Sequence, residues 1–408
     1  MRSISFLILA GILFFLLLLS WLGYNAIKKL STSSSKTLKR GIKYCYWIYS
    51  IYVVVHFTYL FIYPQTAASS VSYKAYFFFN IILVADIFSK IILSISYIIY
   101  SIFQSKNHDR RPILWIGAIL TSGIVITSLY GSLIGNKHIQ VRRLDIEFNN
   151  LPASFDGTKL VHVSDIHLGS FFRSSKLIER ATIVINKLNP DYLLFTGDLV
   201  NNFSYELKDW EEELKKWTSK SGEYAILGNH DYGNYYHWAD STSKERNLAQ
   251  IIQGHESIGF KLLNNSSVAL GNPTDTIFLV GVENWGHTPF PQYADLEKGL
   301  AGIPENSFKI LLTHDPAHWQ GKVTGKTNIA LTLSGHTHGM QLGIKFAGIE
   351  FSPMHFIREQ WGGLYKQKNQ YLYVNRGFGI IGINWRIDMR PEITLITLKR
   401  SKINGKQE

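Results

Sequence analysis

The chain has 408 residues, of which 46% are hydrophobic, and carries 42 Lys/Arg against 30 Asp/Glu for a formal charge of +12. That length exceeds one ordinary core and implies more than one domain, while a single cysteine, Cys45, excludes an internal disulfide framework and a cysteine-rich zinc module. The charge is confined to one end: 15 Lys/Arg and 2 Asp/Glu lie up to Arg143, and 27 and 28 from Leu144 onward, so the later part offers no broad basic face and no nucleic-acid partner is expected.

Four apolar segments open the chain, at about 4–22, 44–63, 75–103 and 112–134. Each reaches the ~20 residues that a helix needs to cross the hydrocarbon layer. The first could instead be a cleaved signal peptide, but Arg2 is its only leading charge and no small-x-small site ends it. A retained helix is therefore expected. Lys28, Lys29, Lys36, Lys39, Arg40 and Lys43 separate the first two segments, and Lys106, Arg110 and Arg111 the last two. The loop between, "PQTAASSVSYK", carries one lysine. The positive-inside rule puts both basic loops in the cytoplasm. Both termini and everything after Gly135 are then extracytoplasmic, although Lys137, Arg142 and Arg143 run against the rule. The expectation is an integral protein of a bacterial inner or plasma membrane. Its transmembrane region is 1–135, followed by a short connector at 136–154. Asp86 and Lys90 sit four apart on one face of the third segment. An internal ion pair sealing the bundle is expected over a transport role, for which His56 would be the only other candidate.

From about Ile146 the texture changes to short β-rich runs alternating with amphipathic ones. "KLVHVSDIH", "DYLLFTGD", "GEYAILGNHD", "TIFLVGVEN", "SFKILLTHD", "IALTLSGHTH", "QYLYVNRGFG" and "PEITLITLKR" read as strands. "SSKLIERATIVINKLN" reads as a helix capped by Ser174 or Ser175, and "SYELKDWEEELKKWTSK" as a charged surface helix. Alternating strands and helices imply a layered α/β domain.

Five of these strands end in residues that can bind a metal: Asp165 and His167, Asp198, Asn229 and His230, His314, and His336 and His338. Strand ends on one rim of a sheet are where α/β folds place their sites. Side chains two apart on an extended segment share a face, so Asp165 and His167 converge, as do His336 and His338, with Ile166 and Thr337 turned away. Gly197, Gly228, Gly335 and Gly339 allow the tight backbone of a rim loop. Nitrogen and oxygen donors without thiolate suit Zn, Mn or Fe. The inventory exceeds one tetrahedral ion and fits two ions sharing a carboxylate. Alone, an H-x-H pair or a "GNHD" turn is incidental; five in order at strand ends are not. His162 points away from Asp165 and reads as structural, and His318 as solvent-exposed. Trp285, Arg376 and Phe378 are candidates to line the cleft.

The blocks "DIHLG" (165–169), "GDLVN" (197–201), "GNHD" (228–231), "THD" (313–315) and "GHTHG" (335–339) resemble the signature of the calcineurin-like metallophosphoesterases. The likeness covers about 155–400, and the tail "YLYVNRGFG…RPEITLITL" resembles the membrane-associated bacterial branch similar to YkuE and YaeI. It implies a four-layer αββα sandwich over 155–400 behind the four-helix transmembrane region. It also implies two divalent ions (Mn, Zn or Fe). Asp165, His167 and His338 would hold the first, Asn229, His314 and His336 the second, and Asp198 would bridge them. His230 would contact the phosphate and help the leaving oxygen depart, with Asp231 orienting His230. Where related sequences read GHTHGGQ, this chain has Met340, which leaves the ligands intact and bears on substrate shape.

The expected activity is phosphoester hydrolysis by two metals about 3.5–4 Å apart, through a bridging hydroxide. A membrane tether and a short connection favour a lipid-linked or envelope phosphoester. One alternative is a UDP-sugar-lipid pyrophosphatase facing the cytoplasm. Another, of a different class, is a non-catalytic metal-binding membrane scaffold or sensor, which would be expected to lack ligands that here are all filled.

Overall fold

The computed structural model of the chain describes residues 6–62, 70–104, 108–171, 176–272, 275–286 and 291–401. Four long helices come first: α1 (Phe6–Leu30), α2 (Lys36–Ile62), α3 (Ser70–Ile102) and α4 (Arg111–Leu133). All four are long and apolar enough to cross a membrane. Helices α1 and α2 run past the apolar segments into the basic residues between them, so Lys28 and Lys29 occupy the last turn of α1, where a cation meets the negative end of the helix dipole. Residues 64–69 of the next loop, Arg2, Lys106 and the Ser174/Ser175 cap lie outside the described residues.

Small residues bring these helices together. Ser20, Gly23 and Ala26 are buried on α1. The Tyr46 hydroxyl donates to the Ser20 carbonyl at 2.8 Å, and Ser94 of α3 donates to the Leu19 carbonyl at 3.3 Å. A Cβ on Gly117 of α4 would collide with the Ser96 side chain. Such close approach is how apolar helices associate where water exclusion gives no drive. The Asp86–Lys90 pair forms within α3 at 2.8 Å and is buried, with Lys90 Nζ 5.8 Å from the rings of Tyr46 and Tyr49.

The chain divides into two compact units, 1–132 with 382–385, and 133–381 with 386–408. In the second unit the strands are β1 (Gln140–Phe148), β2 (Lys159–Val163), β3 (Tyr192–Phe195), β4 (Glu223–Ala225), β5 (Lys261–Leu262), β6 (Ser266–Asn272) and β7 (Asp275–Gly281). They continue with β8 (Phe308–Leu312), β9 (Leu331–Ser334), β10 (Ile344–Phe346), β11 (Ile349–Phe351), β12 (Gly363–Gln367), β13 (Gln370–Val374) and β14 (Glu392–Arg400). Two six-stranded sheets result, in the orders β1-β14-β2-β3-β4-β5 and β12-β13-β9-β8-β7-β6, with β10-β11 a separate hairpin.

Alternation along the strands builds the layers. Leu160 and Leu194 of one sheet meet Leu279, Ile310 and Leu331 of the other in a common core. Val161, Leu193 and Phe195 face the opposite way, onto α5 (Leu177–Leu188) and α7 (Ser241–Ser257) through Ile178, Ile185 and Ile251. Val280, Leu311 and Leu372 pack outward on the second sheet. Helix, sheet, sheet and cover make the four-layer αββα sandwich that the sequence predicts.

Two expectations are corrected. The stretch 136–154 is more than a connector, because 140–148 form β1 and pair in parallel with β14 over nine residues. The charges of "QVRRLDIEF" mask an alternation that buries Ile146 and Phe148 on an edge strand. The helix expected over 204–220 is instead a short turn at Ser204–Glu206 and a single helical turn, α6 (Glu211–Leu214). Glu206 is turned inward there and bonds backbone groups, which stops the helix from propagating.

Candidate metal centre

Strands β2, β3 and β4 are parallel neighbours in one sheet, and β8 and β9 in the other. The expected ligands follow their C-terminal ends: Asp165 and His167 after β2, Asp198 after β3, Asn229 after β4, His314 after β8, and His336 and His338 after β9. All seven lie on one rim.

The backbone that aims them is not extended. Asp165 (φ 55°), His167 (φ 51°), Asp198 (φ 59°), His336 (φ 72°) and His338 (φ 51°) are all left-handed. The convergence credited to strand alternation comes from this left-handed backbone. Such conformations cost roughly 1–2 kcal/mol for a residue with a Cβ and cluster at functional sites. Close packing leaves the rim little choice: a Cβ on Gly335 would collide with Ser164 and the Asp165 carboxylate, and one on Gly228 with Asp198.

The side chains gather in two groups, Asp165 with His167 and His338, and Asp198 with His314 and His336. In the first, His338 Nε2 lies 3.1 Å from His167 Nε2 and 3.2 Å from Asp165 Oδ1. In the second, Asn229 Oδ1 lies 2.9 Å from His314 Nε2 and 2.8 Å from His336 Nδ1, and those two nitrogens are 3.2 Å apart. Asp198 Oδ2 stands between the groups, 3.2 Å from His314 Nε2 and 3.6 Å from His167 Nε2. Imidazole nitrogens each bound at about 2.0–2.1 Å to one tetrahedral cation would be about 3.3 Å apart. The donor types and spacings therefore fit two divalent cations.

Hydrogen bonds to the far ring atoms orient these ligands. His314 Nδ1 bonds the Thr196 carbonyl at 2.7 Å, which leaves Nε2 for the site. The Arg386 guanidinium, fixed by the carbonyls of Gly379, Arg376 and Met389, packs against the far edge of the His338 ring, with Nη2 3.3 Å from Nδ1. Burial opposes charge on Asp165 and Asp198, yet His338 and His314 hold the two carboxyls well below the usual range. Burial also opposes charge on His314, but Asp198 carries it up to about 10. Burial pushes His336 down to about 4, in the neutral form a ligand needs.

His230 stands beside this centre, its ring 4.9 Å from that of His167. Its backbone N–H donates to Asp198 Oδ1 at 2.8 Å, and Nδ1 bonds the Asn201 carbonyl at 2.8 Å. Asp231 does not orient it, contrary to expectation. The Asp231 carboxylate instead accepts backbone N–H groups of Asp198, Leu199, Val200 and Gly228 at 2.8–3.2 Å. Its position three residues after Gly228 lets it tie the β3 loop to the β4 loop. Burial, reinforced by the Asp198 carboxylate, pushes Asp231 up to about 7 against those donors. Glu206 does the same one loop further out, accepting from Gly169, Asn201, Asn202 and Phe203 at 2.6–3.0 Å. Tyr235 stacks on His230 at 4.3 Å and accepts from Asn229 Nδ2 at 2.8 Å.

An open cleft of about 100 Å³ adjoins the second group, with Asn229, Tyr235, Trp285, Asp315, His336 and Arg358 among its walls. Trp285 lines it as expected; Arg376 and Phe378 do not. Arg376 is buried in ion pairs with Glu350 and Glu392, and Phe378 belongs to the core. His318 is buried rather than exposed, bonded to Thr313 at 3.0 Å and stacked on Trp285. His162 is structural, as read, and bonds Thr196 Oγ1 at 2.8 Å. The sequence reading missed Arg358, whose guanidinium pairs with Asp315 at 2.8 Å and lies 3.5 Å from His336 Nε2. No motif marks it, since it comes 22 residues after His336.

Residues 158–340 match the family model described as calcineurin-like phosphoesterase. A transmembrane protein with metallophosphoesterase domain from Danio rerio is 31% identical over 284 residues, covering 68% of this chain and 61% of that protein. The metallophosphoesterase YkuE of Bacillus subtilis is 29% identical over 307 residues, covering 72% of this chain and 99% of its own length. The UDP-2,3-diacylglucosamine pyrophosphatase LpxG of Chlamydia muridarum is 26% identical over 301 residues, covering 62% of this chain and 88% of LpxG. The chain spans less than two thirds of the length of the first of these relatives. Behind four apolar helices, this chain carries a calcineurin-like metallophosphoesterase domain, the domain of a family of metal-dependent hydrolases.

Proposed function

We propose that the chain is a membrane-tethered phosphohydrolase that uses two divalent metals on a lipid-linked or envelope phosphoester. The observation that carries this reading is the reach of Asp198 Oδ2 into both ligand groups, 3.2 Å from His314 Nε2 in its own and 3.6 Å from His167 Nε2 in the other. Asp165, His167 and His338 would hold one ion, Asn229, His314 and His336 the other, with Asp198 shared. Two such ions supply neutralisation of phosphoryl charge and an acidified water.

The remaining chemistry belongs to the chain's own residues. His230 Nδ1 is committed to the Asn201 carbonyl, so Nε2 is the nitrogen available to a phosphoryl or leaving-group oxygen. An anionic phosphoester beside Nε2 favours the protonated ring, which can then donate to the departing oxygen. Arg358, beside His336 in the cleft, is placed to meet a second phosphoryl oxygen. His230→Ala tests the assignment: both metals should remain on the protein while kcat falls about 10²–10⁴-fold. Loss of metal in that variant would contradict it.

The likeness to LpxG favours a second reading, cleavage of a UDP-linked lipid, whose substrate lies in the cytoplasm. The loop charges favour the extracytoplasmic reading instead. A C-terminal reporter active only in the cytoplasm would overturn the extracytoplasmic reading and leave the second.

A further inference from the structure

The hairpin β10–β11 pairs Ile344 with Phe351, Lys345 with Glu350, and Phe346 with Ile349. Alternation puts the four apolar residues on one face and Lys345 and Glu350 on the other. The polar face is anchored: Glu350 accepts from Arg142 at 2.8 Å, Arg376 at 2.6 Å and Lys345 at 3.2 Å. The apolar face is open. Phe346 is 78% exposed and Ile349 72%, and the following turn adds Phe356 at 81% and Ile357 at 68%. Phe351 and Phe356 touch at 5.7 Å and make the patch continuous. Soluble surfaces scatter single apolar residues; a contiguous aromatic and aliphatic face marks a binding surface.

We propose that this face rests in the lipid surface of the membrane that anchors the chain, and that it presents lipid-borne phosphoesters to the metal centre. Covalent connectivity favours a bilayer as the occupant. Arg142, which grips the hairpin, lies nine residues after Leu133, the end of α4. At about 3.3–3.6 Å per residue, at most about 32 Å of chain separates that grip from the last candidate span. Both ends of the patch lead into the site. Ile344 follows His338 by six residues, and Ile357 precedes Arg358, which reaches Asp315 and His336. A phospholipid whose acyl chains stay in the bilayer beside Phe346 would thus have its headgroup at the cleft. Phe and aliphatic side chains seated beside basic residues suit an interfacial position.

The second half of the proposal rests on the phosphohydrolase reading; the first does not. The full-length chain is reconstituted in nanodiscs of phosphatidylcholine and phosphatidylglycerol, with its only cysteine removed as Cys45→Ser. An environment-sensitive fluorophore is attached through Phe346→Cys or, as control, Lys187→Cys on α5, and doxyl-labelled lipid is titrated in. Quenching at least threefold stronger at 346 than at 187 is expected. Equal quenching, or a 346–346 crosslink without quenching, would overturn the proposal, the latter assigning the face to a second copy. With Phe346→Ser and Ile349→Ser combined, KM for phosphatidic acid in nanodiscs should rise at least tenfold while hydrolysis of soluble bis(p-nitrophenyl) phosphate is unchanged. No hydrolysis of either probe by the unmodified chain would count against the phosphohydrolase reading and leave the quenching result standing.

Discussion

The Nε2 atoms of His167 and His338 stand 3.1 Å apart, although one follows a strand of the first sheet and the other a strand of the second. Two neutral imidazoles cannot both present lone pairs at that distance without a proton or a cation between them. The pair is the seam across which the two sheets hold one site.

That seam makes metal stoichiometry the most direct test of the ligand assignment. Asp198 touches both groups, while His338 touches one. Asp198→Ala should therefore lose both ions, and His338→Ala only one, with the unmodified chain holding two. Metal analysis of the three purified proteins decides it. One retained ion in Asp198→Ala would show that the carboxylate does not bridge.

The candidate ligands were legible because chemistry restricts their types and strand ends restrict their places. What aims them was not. A D-x-H or H-x-H segment looks extended, and nothing in its letters announces φ near 55° at Asp165 or 72° at His336. β1 was hidden because Arg143, Asp145 and Glu147 occupy the alternate, exposed positions of an edge strand and Arg142 interrupts the apolar face. Glu206 was hidden inside a charged run that suggests a solvated helix, yet it is buried. His318 reads as a surface residue until Trp285, from a distant loop, covers it. Contacts between distant segments are the common term in these misses.

Glu206 supports the loop beside His230 at one remove. Each of its carboxylate oxygens accepts two backbone N–H groups, and one of those residues, Asn201, turns its carbonyl to His230. Glu206→Gln would set an NH₂ against two buried donors. A stability loss of about 2–6 kcal/mol is expected, since buried unpaired polar groups cost about 1–3 kcal/mol each. Turnover should fall in the folded fraction while metal content is retained. Denaturant unfolding alongside metal analysis measures both, and stability within error of the unmodified protein would refute the bonding pattern.

Met340 continues a left-handed run from His338 (φ 51°) through Gly339 (φ 53°) and Met340 (φ 52°) to Gln341 (φ 57°). Its side chain is exposed, four residues before the apolar hairpin begins. Replacing it with glycine relieves roughly 1–2 kcal/mol of left-handed strain and adds about 0.5–1 kcal/mol of unfolded-state entropy. Met340→Gly should therefore leave stability unchanged or raise it by up to about 1.5 kcal/mol, with metal content intact. Any change in kcat/KM should differ between soluble and lipid phosphoesters. A fall in Tm would mean that the methionine side chain, rather than the backbone, sets this turn.

Acid sensitivity should trace in part to His255, far from the metal ligands in sequence. Its Nδ1 bonds the Ile251 carbonyl at 3.0 Å within α7, and its ring lies 6.0 Å from that of Phe195. Burial pushes it down to about 4 from the usual 6.5. The folded state therefore binds the proton more weakly than the unfolded state. Stability is fully present above pH 6.5 and is lost as pH falls toward 4, at up to about 1.4 kcal/mol per pH unit. Between pH 7 and pH 5 this one group removes about 2 kcal/mol. His255→Phe keeps an apolar ring in place and cannot take up the proton. Any packing penalty is the same at every pH, so the comparison reads the slope alone. Unfolding free energies at pH 7, 6 and 5 should fall less steeply in the variant, by about 2 kcal/mol over that range. Parallel profiles would mean that His255 is already protonated, or is open to solvent, in the folded protein.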